Sequence, residues 1–211
     1  MIDTLPLIPA VVLAGGRSRR MGMDKADLVL GGQTLVARAV SRLTGQTAAV
    51  AVNMATRPQG LDAAVFVVPD PIGGHRGPLA GILAAMRYAQ SLGRPAERVA
   101  TVSVDSPFFP ADLIQQLAQT VPDGQTIAIA ACSGRDHPVF GLWPIALADE
   151  LDDWVTHSAD LSVRSFLRGR SVVEVDFEPL LLGGDSLDPF FNVNTPDDFE
   201  QARQIEEVLH P

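Results

Sequence analysis

The chain has 211 residues, of which 46% are apolar and 19% charged, the composition of a globular protein with one sizeable core. Its formal net charge of −9 argues against general binding to nucleic acid or to anionic membranes. A single cysteine, Cys132, permits neither an internal disulfide nor a cysteine-based metal site, and we expect a cytoplasmic protein without a membrane span.

The first predicted element is a buried β-strand that leads into a glycine-rich, basic loop. Residues 11–13 form a continuous apolar run, typical of a strand buried on both faces of a parallel sheet, and Gly15-Gly16 follows. Residues 17–25 contain four of the 16 basic residues and carry a charge of +3, whereas the rest of the chain carries −12. Glycines allow backbone N–H groups to approach a phosphate closely, so we expect a polyanion site here. The alternative is a solvated basic turn.

The spacing of this loop excludes two common phosphate-binding motifs. A P-loop requires Gly, four residues and Gly-Lys, then Ser or Thr, but five residues separate Gly16 from Gly22, and Met23 follows. The dinucleotide fingerprint Gly-x-Gly-x-x-Gly is absent from residues 15–20. If this loop binds phosphate, it therefore does so with a different motif.

The next predicted elements place polar residues at the ends of buried strands. A Gly31-Gly32 turn and a helix over 35–43 precede strands over 49–52 and 65–68. A helix then begins at Pro78, and a strand over 99–104 follows. The residues after the three strands are Asn53, Asp70 and Asp105. Open α/β sheets bind ligands at the carboxyl ends of their strands, so these are candidate site residues, although Asn and Asp also open ordinary turns. A carboxylate that faces a phosphate loop also suits Mg²⁺, which makes Asp105 a candidate metal ligand.

The second half of the chain continues this alternation. The pattern predicts strands over 126–131, 139–143 and 172–177, a loop over 133–138, and helices over 111–119, 145–154 and 162–167. Thr195 as N-cap, with Pro196 and Asp198 after it, predicts a final helix to about Leu209.

Two asparagines precede that final helix. Asn192 and Asn194 occupy alternate positions of an extended segment, so both amides can donate to one ligand. The alternative is that they satisfy buried backbone groups.

Residues 13–25 match, at every fixed position, the signature Leu-Ala-Gly-Gly-x-Ser-x-Arg-Met-Gly-x-x-Lys of transferases that join a nucleotide to a small phosphorylated acceptor. Within that superfamily the chain resembles the molybdenum cofactor guanylyltransferases, the MobA-type nucleotidyltransferases. Later segments that share the resemblance lie at 77–81, 105–107, 137–143 and 190–198. The resemblance implies one domain over residues 1–211, with a nucleotide-binding half over about 1–110 and an acceptor-binding half over about 111–211. The implied fold is a three-layer α/β/α fold with a mostly parallel, Rossmann-like sheet of the nucleotide-diphospho-sugar transferase type.

The implied activity is transfer of GMP from GTP to the phosphate of molybdopterin, with release of pyrophosphate and with Mg²⁺ as cofactor. By the same resemblance, the residues that hold GTP are Leu13, Ala14, Gly15, Gly16, Lys25, Asn53, Asp70 and Asp105. Asp105 would bind the metal, Lys25 would neutralise phosphate charge, and Asn192 and Asn194 would contact molybdopterin. Arg19 and Arg20 follow from electrostatics instead, as stabilisers of the leaving pyrophosphate.

Two other functions compete with this interpretation. One is a cytidylyltransferase for the same cofactor, or a transferase for a sugar or polyol phosphate; such relatives commonly carry Leu-Ala-Ala-Gly, so Gly15 favours guanine. The other is a nucleotide-binding regulatory module without turnover, against which Lys25 and Asp105 both argue. We expect a monomer that docks transiently with proteins that supply molybdopterin or mature molybdoenzymes.

Overall fold

The computed structural model describes residues 8–15, 25–47, 49–58, 60–73, 76–93 and 96–209. The strands are β1 (Pro9–Leu13), β2 (Val29–Leu30), β3 (Gln33–Thr34), β4 (Ala49–Asn53), β5 (Phe66–Val68), β6 (Arg98–Ser103), β7 (Ile127–Cys132), β8 (Arg135–Pro144), β9 (Val172–Asp176), β10 (Leu180–Leu182) and β11 (Asp185–Leu187). The α-helices are α1 (Leu35–Thr44), α2 (Pro78–Ser91), α3 (Leu113–Thr120), α4 (Ala148–His157), α5 (Val163–Leu167) and α6 (Pro196–Leu209).

The main sheet has seven strands in the order β5-β4-β1-β6-β8-β7-β9. Strands β5, β4, β1 and β6 are parallel neighbours, β8 is antiparallel to both β6 and β7, and β9 is parallel to β7. Only β8 therefore runs against the common direction of this sheet. The predicted fold class, a mostly parallel α/β sheet, is confirmed.

Strand β1 lies inside the sheet and is buried on both faces. Its alternate residues Ala10 and Val12 pack in a core with residues of α1, α3 and α6, whereas Val11 and Leu13 pack in a second core with residues of α2, α4 and α5. A strand with apolar packing on both faces needs apolar residues at every position, which explains its continuous apolar run. The two cores make the α/β/α layers.

The region after β7 differs from the predicted loop over 133–138. Ser133 and Gly134 have φ angles of 50° and 78°, so two residues suffice to turn the chain, and β8 begins at Arg135. Proline rarely occurs inside a sheet, but Pro138 lies where the β7–β8 register shifts and leaves residues 138–140 without partners in β7. The short β10–β11 hairpin, which turns at Gly183-Gly184, was not predicted.

Along the described ranges, we find no helix that combines the length and the apolar character needed to cross a membrane.

Candidate nucleotide-binding site

The carboxyl ends of β4, β1 and β6 lie side by side and form the floor of the candidate site. Leu13, the last residue of β1, is in register with Asn53 on one side and with Ser103 on the other. Backbone hydrogen bonds extend this alignment by one residue, from Ala14 N to Asn53 O (3.0 Å) and from Val104 N to Leu13 O (3.1 Å). Leu13 and Ala14 are buried, whereas Gly15 is exposed. The chain thus leaves the sheet at Gly15.

A cluster of polar side chains lies at this edge and joins distant parts of the chain. The ammonium group of Lys25 donates to Oδ2 of Asp105 (3.1 Å) and to Oδ1 of Asn194 (2.6 Å). The side chains of Lys25 and Asp105 are 17% and 20% exposed, so this ion pair is accessible to a ligand. Because an ammonium group only donates, the amide oxygen of Asn194 must face Lys25, and the amide nitrogen faces away.

The carboxylate of Asp105 is held from two directions. The hydroxyl of Ser103 donates to Oδ1 at 2.5 Å, while Lys25 bonds Oδ2. The backbone carbonyl of Asp105 also accepts from Val193 N at 2.7 Å. These bonds fix the orientation of Asp105 before any ligand binds, which is the preorganisation that an electrostatic site requires.

The second polar pair consists of Asn53 and Asp70. Asn53 is 2% exposed, and its amide nitrogen donates to Val68 O (3.0 Å) and to Oδ1 of Asp70 (2.9 Å). Both partners only accept, so the orientation of the amide is fixed. Asp70 itself is exposed at the sheet edge. Asn53 therefore holds Asp70 and does not present its own N–H groups to solvent.

Asn192 and Asn194 each bond a side chain from the first half of the chain. Asn194 bonds Lys25, and Asn192 accepts from the hydroxyl of Ser106. Ser106 is completely buried and also lies 3.1 Å from Phe190 O. The backbone N–H of Asn194 donates to the carboxylate of Asp198. This bond makes the largest contribution to lowering the pKa of Asp198. The segment before α6 is thus linked to Lys25 through Asn194 and to Ser106 through Asn192.

Gly16, Arg19 and Arg20 lie outside the described residues. The other predicted site residues fall into three neighbouring groups at one sheet edge: the end of β1, the Asn53–Asp70 pair, and the Lys25–Asp105–Asn194 cluster with Asn192 behind it. The roles of these residues stay predictions.

Ser103 and Ser106 were not predicted from sequence, and Gly81, where an added Cβ would meet Oδ1 of Asn53, was singled out only as part of the segment 77–81. A signal existed for two of them. Ser103 ends β6 two positions before Asp105, and alternate residues of an extended segment point to the same side. Gly81 lies inside a helix, where glycine is unfavourable. Nothing local to Ser106 indicates its contact with Asn192, 86 positions later.

The side chains at the site fit a metal ion that is coordinated partly by a carboxylate of the protein and partly by phosphate oxygens of a bound molecule. The described part of the chain contains no cluster of three or more His, Cys, Asp or Glu that could hold a metal ion without a ligand. Mg²⁺, however, is commonly bound by one or two carboxylates together with phosphate oxygens. The oriented carboxylate of Asp105, beside a lysine, matches that pattern.

A mostly parallel sheet with polar side chains at the carboxyl ends of its strands is the arrangement in which open α/β proteins bind their ligands. A family model described as the MobA-like NTP transferase domain matches residues 10–175, and the chain belongs to this family. The resemblance of residues 13–25 is thereby confirmed.

Named relatives and a solved structure agree with this assignment. The chain is 50% identical over 205 residues to the molybdenum cofactor guanylyltransferase of Rhizobium johnstonii, covering 96% of this chain and 94% of that protein. It is 46% identical over 197 residues to the protein of the same name from Sinorhizobium fredii, covering 93% and 90%. The fold is similar to that of molybdopterin-guanine dinucleotide biosynthesis protein A from Archaeoglobus fulgidus, with a TM-score of 0.70, 21% identity, and coverage of 94% and 98%.

Proposed function

We propose that this chain transfers GMP from GTP to the terminal phosphate of molybdopterin, forming molybdopterin guanine dinucleotide and releasing pyrophosphate. The observation that carries the proposal is the position of Lys25, which bonds Asp105 of the nucleotide-binding half and Asn194 of the acceptor-binding half. The names of relatives at 50% and 46% identity support guanylyl transfer.

In this reaction an oxygen of the molybdopterin phosphate forms a bond to the α-phosphorus of GTP, and the bond from that phosphorus to the pyrophosphate oxygen breaks. Both reactants are anions, so the protein has to offset their charge and hold them in line. Lys25 supplies a positive charge between the two halves of the site. We assign Arg19 and Arg20 to the leaving pyrophosphate by charge alone.

Asp105 would hold Mg²⁺ together with the nucleotide's phosphates. When bound, Mg²⁺ supplies positive charge that offsets the negative charge of the phosphates. Ser103 and Lys25 hold the carboxylate of Asp105 in place from either side, and the lysine offsets the charge of that carboxylate.

We assign base recognition to Asp70, supported by Asn53. Guanine presents two adjacent donors, N1–H and the 2-amino group, and a carboxylate can accept from both. Asp70 is exposed, and one of its oxygens is anchored by Asn53 at 2.9 Å. Cytosine lacks this pair of donors, so an acceptor at Asp70 favours guanine. Leu13, Ala14 and Gly15 would pack against the nucleotide at the end of β1.

Asn192 and Asn194 are the proposed contacts to molybdopterin. Asn194 directs its amide nitrogen away from Lys25 and so offers donors to the acceptor molecule. We expect the protein to work in the cytoplasm as a monomer and to dock transiently with molybdopterin-supplying or molybdoenzyme-maturation proteins.

The test is a transfer assay with molybdopterin and each of GTP, CTP, ATP and UTP labelled at the α-phosphate. The expected result is label transfer from GTP only, dependent on Mg²⁺ and slower by about 10²–10³ in Asp105→Asn. Transfer from CTP at a rate equal to or above that from GTP identifies a cytidylyltransferase instead. Nucleotide binding without transfer from any of the four identifies a binding module.

A further inference from the structure

Gly81 lies inside helix α2, near its start, and is completely surrounded by other residues. Its φ angle is outside the left-handed region that favours glycine, so the backbone there would accept alanine. Alanine is the better helix former. The reason for glycine at this position must therefore be the space that a side chain would fill.

A Cβ atom on Gly81 would meet the floor of the candidate site. It would lie 2.7 Å from Oδ1 of Asn53, a distance shorter than real Cβ contacts, and 3.2 Å from Cδ2 of Leu13. Asn53 cannot move aside without loss, because its amide nitrogen is bonded to Val68 O and to Asp70. A methyl group at position 81 would push the amide of Asn53 off these two partners.

We propose that Gly81 is a positioning residue for base selection: its missing side chain lets the Asn53 amide lie against α2, where it anchors the carboxylate of Asp70. This inference rests on the proposed reading of guanine by Asp70. Gly81 touches no substrate itself, since it lies behind Asn53. Its effect is expected on the choice of base and not on phosphate binding.

The first experiment tests the contact without any nucleotide. Gly81→Ala is combined with Asn53→Ala in a double-mutant cycle, and thermal unfolding is measured for all four proteins. In the wild-type background Gly81→Ala should lower the melting temperature, and in the Asn53→Ala background it should leave it unchanged or raise it. Equal shifts in both backgrounds would show that position 81 does not act through Asn53. Gly45→Ala is the matched control, because Gly45 has a helical backbone and nothing within 4 Å of its Cβ position.

The second experiment tests base selection. GTP, ITP and tripolyphosphate are titrated against each variant; ITP lacks the 2-amino group, so its loss of affinity reports the contact to Asp70. In the wild type we expect GTP to bind roughly 10- to 100-fold more tightly than ITP, as for one hydrogen bond to a charged group. Gly81→Ala should reduce that ratio to about threefold or less while tripolyphosphate binding stays within about twofold, and it should not change the ratio further once Asn53 is alanine.

The outcomes separate this inference from the proposed function. If Asp70→Ala keeps the full preference for GTP over ITP, the base is read elsewhere and the assignment of Asp70 fails. If Asp70→Ala loses the preference but Gly81→Ala keeps it, only the role of Gly81 is overturned. If Gly81→Ala weakens the binding of GTP, ITP and tripolyphosphate equally, the substitution acts by displacing Leu13 or by disturbing the fold, and the inference is again overturned. Where Gly81→Ala fails to fold, the double variant with Asn53→Ala supplies the test: recovery of a folded protein supports the contact between position 81 and Asn53, and failure of the double variant to fold while Asn53→Ala alone folds overturns the inference.

Discussion

At the level of single residues, the site depends on charges that are held in place before ligand binding. Lys25 and Asp105 are only partly exposed, and each has a second polar partner, Asn194 for the lysine and Ser103 for the carboxylate. Bonds within the chain therefore orient this ion pair, and its partial exposure allows a ligand to contact it. Neither side chain belongs to the two apolar cores.

We expect Lys25→Ala and Asp105→Asn each to lower the turnover rate by about 10²–10³, because each removes one contact from a preorganised electrostatic site. Thermal unfolding should change little, since the ion pair is partly solvated and such pairs contribute about 1 kcal/mol or less. Steady-state rates and melting curves of the two variants check this. Normal turnover in either variant, or loss of turnover that tracks unfolding, would contradict the assigned role.

Gly15→Ala is expected to leave the folded structure intact and to change nucleotide preference. A Cβ at Gly15 would lie 3.6 Å from Oδ1 of Asn53, which is ordinary van der Waals contact. Any effect must therefore come from the ligand side, where one methyl group is worth about 1–3 kcal/mol of discrimination. Binding of GTP and CTP to both proteins measures it. A GTP-to-CTP ratio unchanged by the substitution would remove Gly15 from base selection.

At the level of elements, the start of α6 is hydrogen-bonded to the segment that precedes it and contains Asn192 and Asn194. One carboxylate oxygen of Asp198 accepts from the backbone N–H groups of Asn194 and Thr195, both at 2.8 Å, and the N–H of Asp198 donates to Oγ1 of Thr195 at 3.2 Å. This reciprocal cap was predicted from Thr195, Pro196 and Asp198. It also fixes the backbone of Asn194.

Asp198→Ala should lower the free energy of unfolding by about 1 kcal/mol at neutral pH, as for the loss of a helix cap. The bond from Asn194 N, together with those from Thr195, lowers the folded-state pKa of Asp198 below its ordinary value of 3.8. Its stabilisation is therefore present above that value and is lost as the pH falls through the folded-state pKa. Denaturant unfolding at pH 7 and below pH 4 should show the difference shrinking.

Asp197→Ala is the control for this cap, since Asp197 lies in the same first turn of α6. It should cost only a few tenths of a kcal/mol through the helix dipole. Equal losses in the two variants, or a loss at Asp198 that persists at low pH, would mean that the cap bonds are not the cause.

Elements were predictable where one local pattern determined them. The run at β1 is apolar at every position because both faces are buried, and α6 carries its cap within the four consecutive residues 195–198. Strand β8 was predicted too short because Pro138 normally ends a strand, and its register shift depends on pairing with β7. The β10–β11 hairpin has mostly part-buried or exposed residues and so no marked periodicity.

The site was predictable only in part for a related reason. Asn53 ends β4, Asp70 and Asp105 lie two residues beyond the ends of β5 and β6, and sheet topology alone brings these strand ends to one edge. Which side chains bond there depends on packing between distant segments: Lys25 and Asn194 are 169 positions apart. No local pattern encodes that contact.

At the level of the whole molecule, the two halves of the chain meet at the site and share one sheet. Strand β8, from the second half, pairs with β6, and Asp105 lies two residues beyond the end of β6. Hydrogen bonds then join the segment before α6 to the first half, among them Val193 N to Asp105 O, Ser106 to Asn192, and Lys25 to Asn194. Residues 192–194 are thus bonded directly to the Lys25–Asp105 pair and to Ser106.

The double variant Asn192→Ala with Asn194→Ala should raise the KM for molybdopterin by roughly 10- to 100-fold, the expected cost of losing one or two polar contacts to an anion. The dissociation constant of GTP should change by less than about threefold, because Lys25 keeps its bond to Asp105 when Asn194 is truncated. Ser106→Ala is the control: it breaks the same link to Asn192 but keeps both amides, so it should affect stability more than molybdopterin use. GTP titration, transfer kinetics at varied molybdopterin and thermal unfolding are measured on all three proteins. If GTP affinity falls as far as molybdopterin use, or if Ser106→Ala reproduces the whole loss, the asparagines hold the two halves together and do not bind the acceptor.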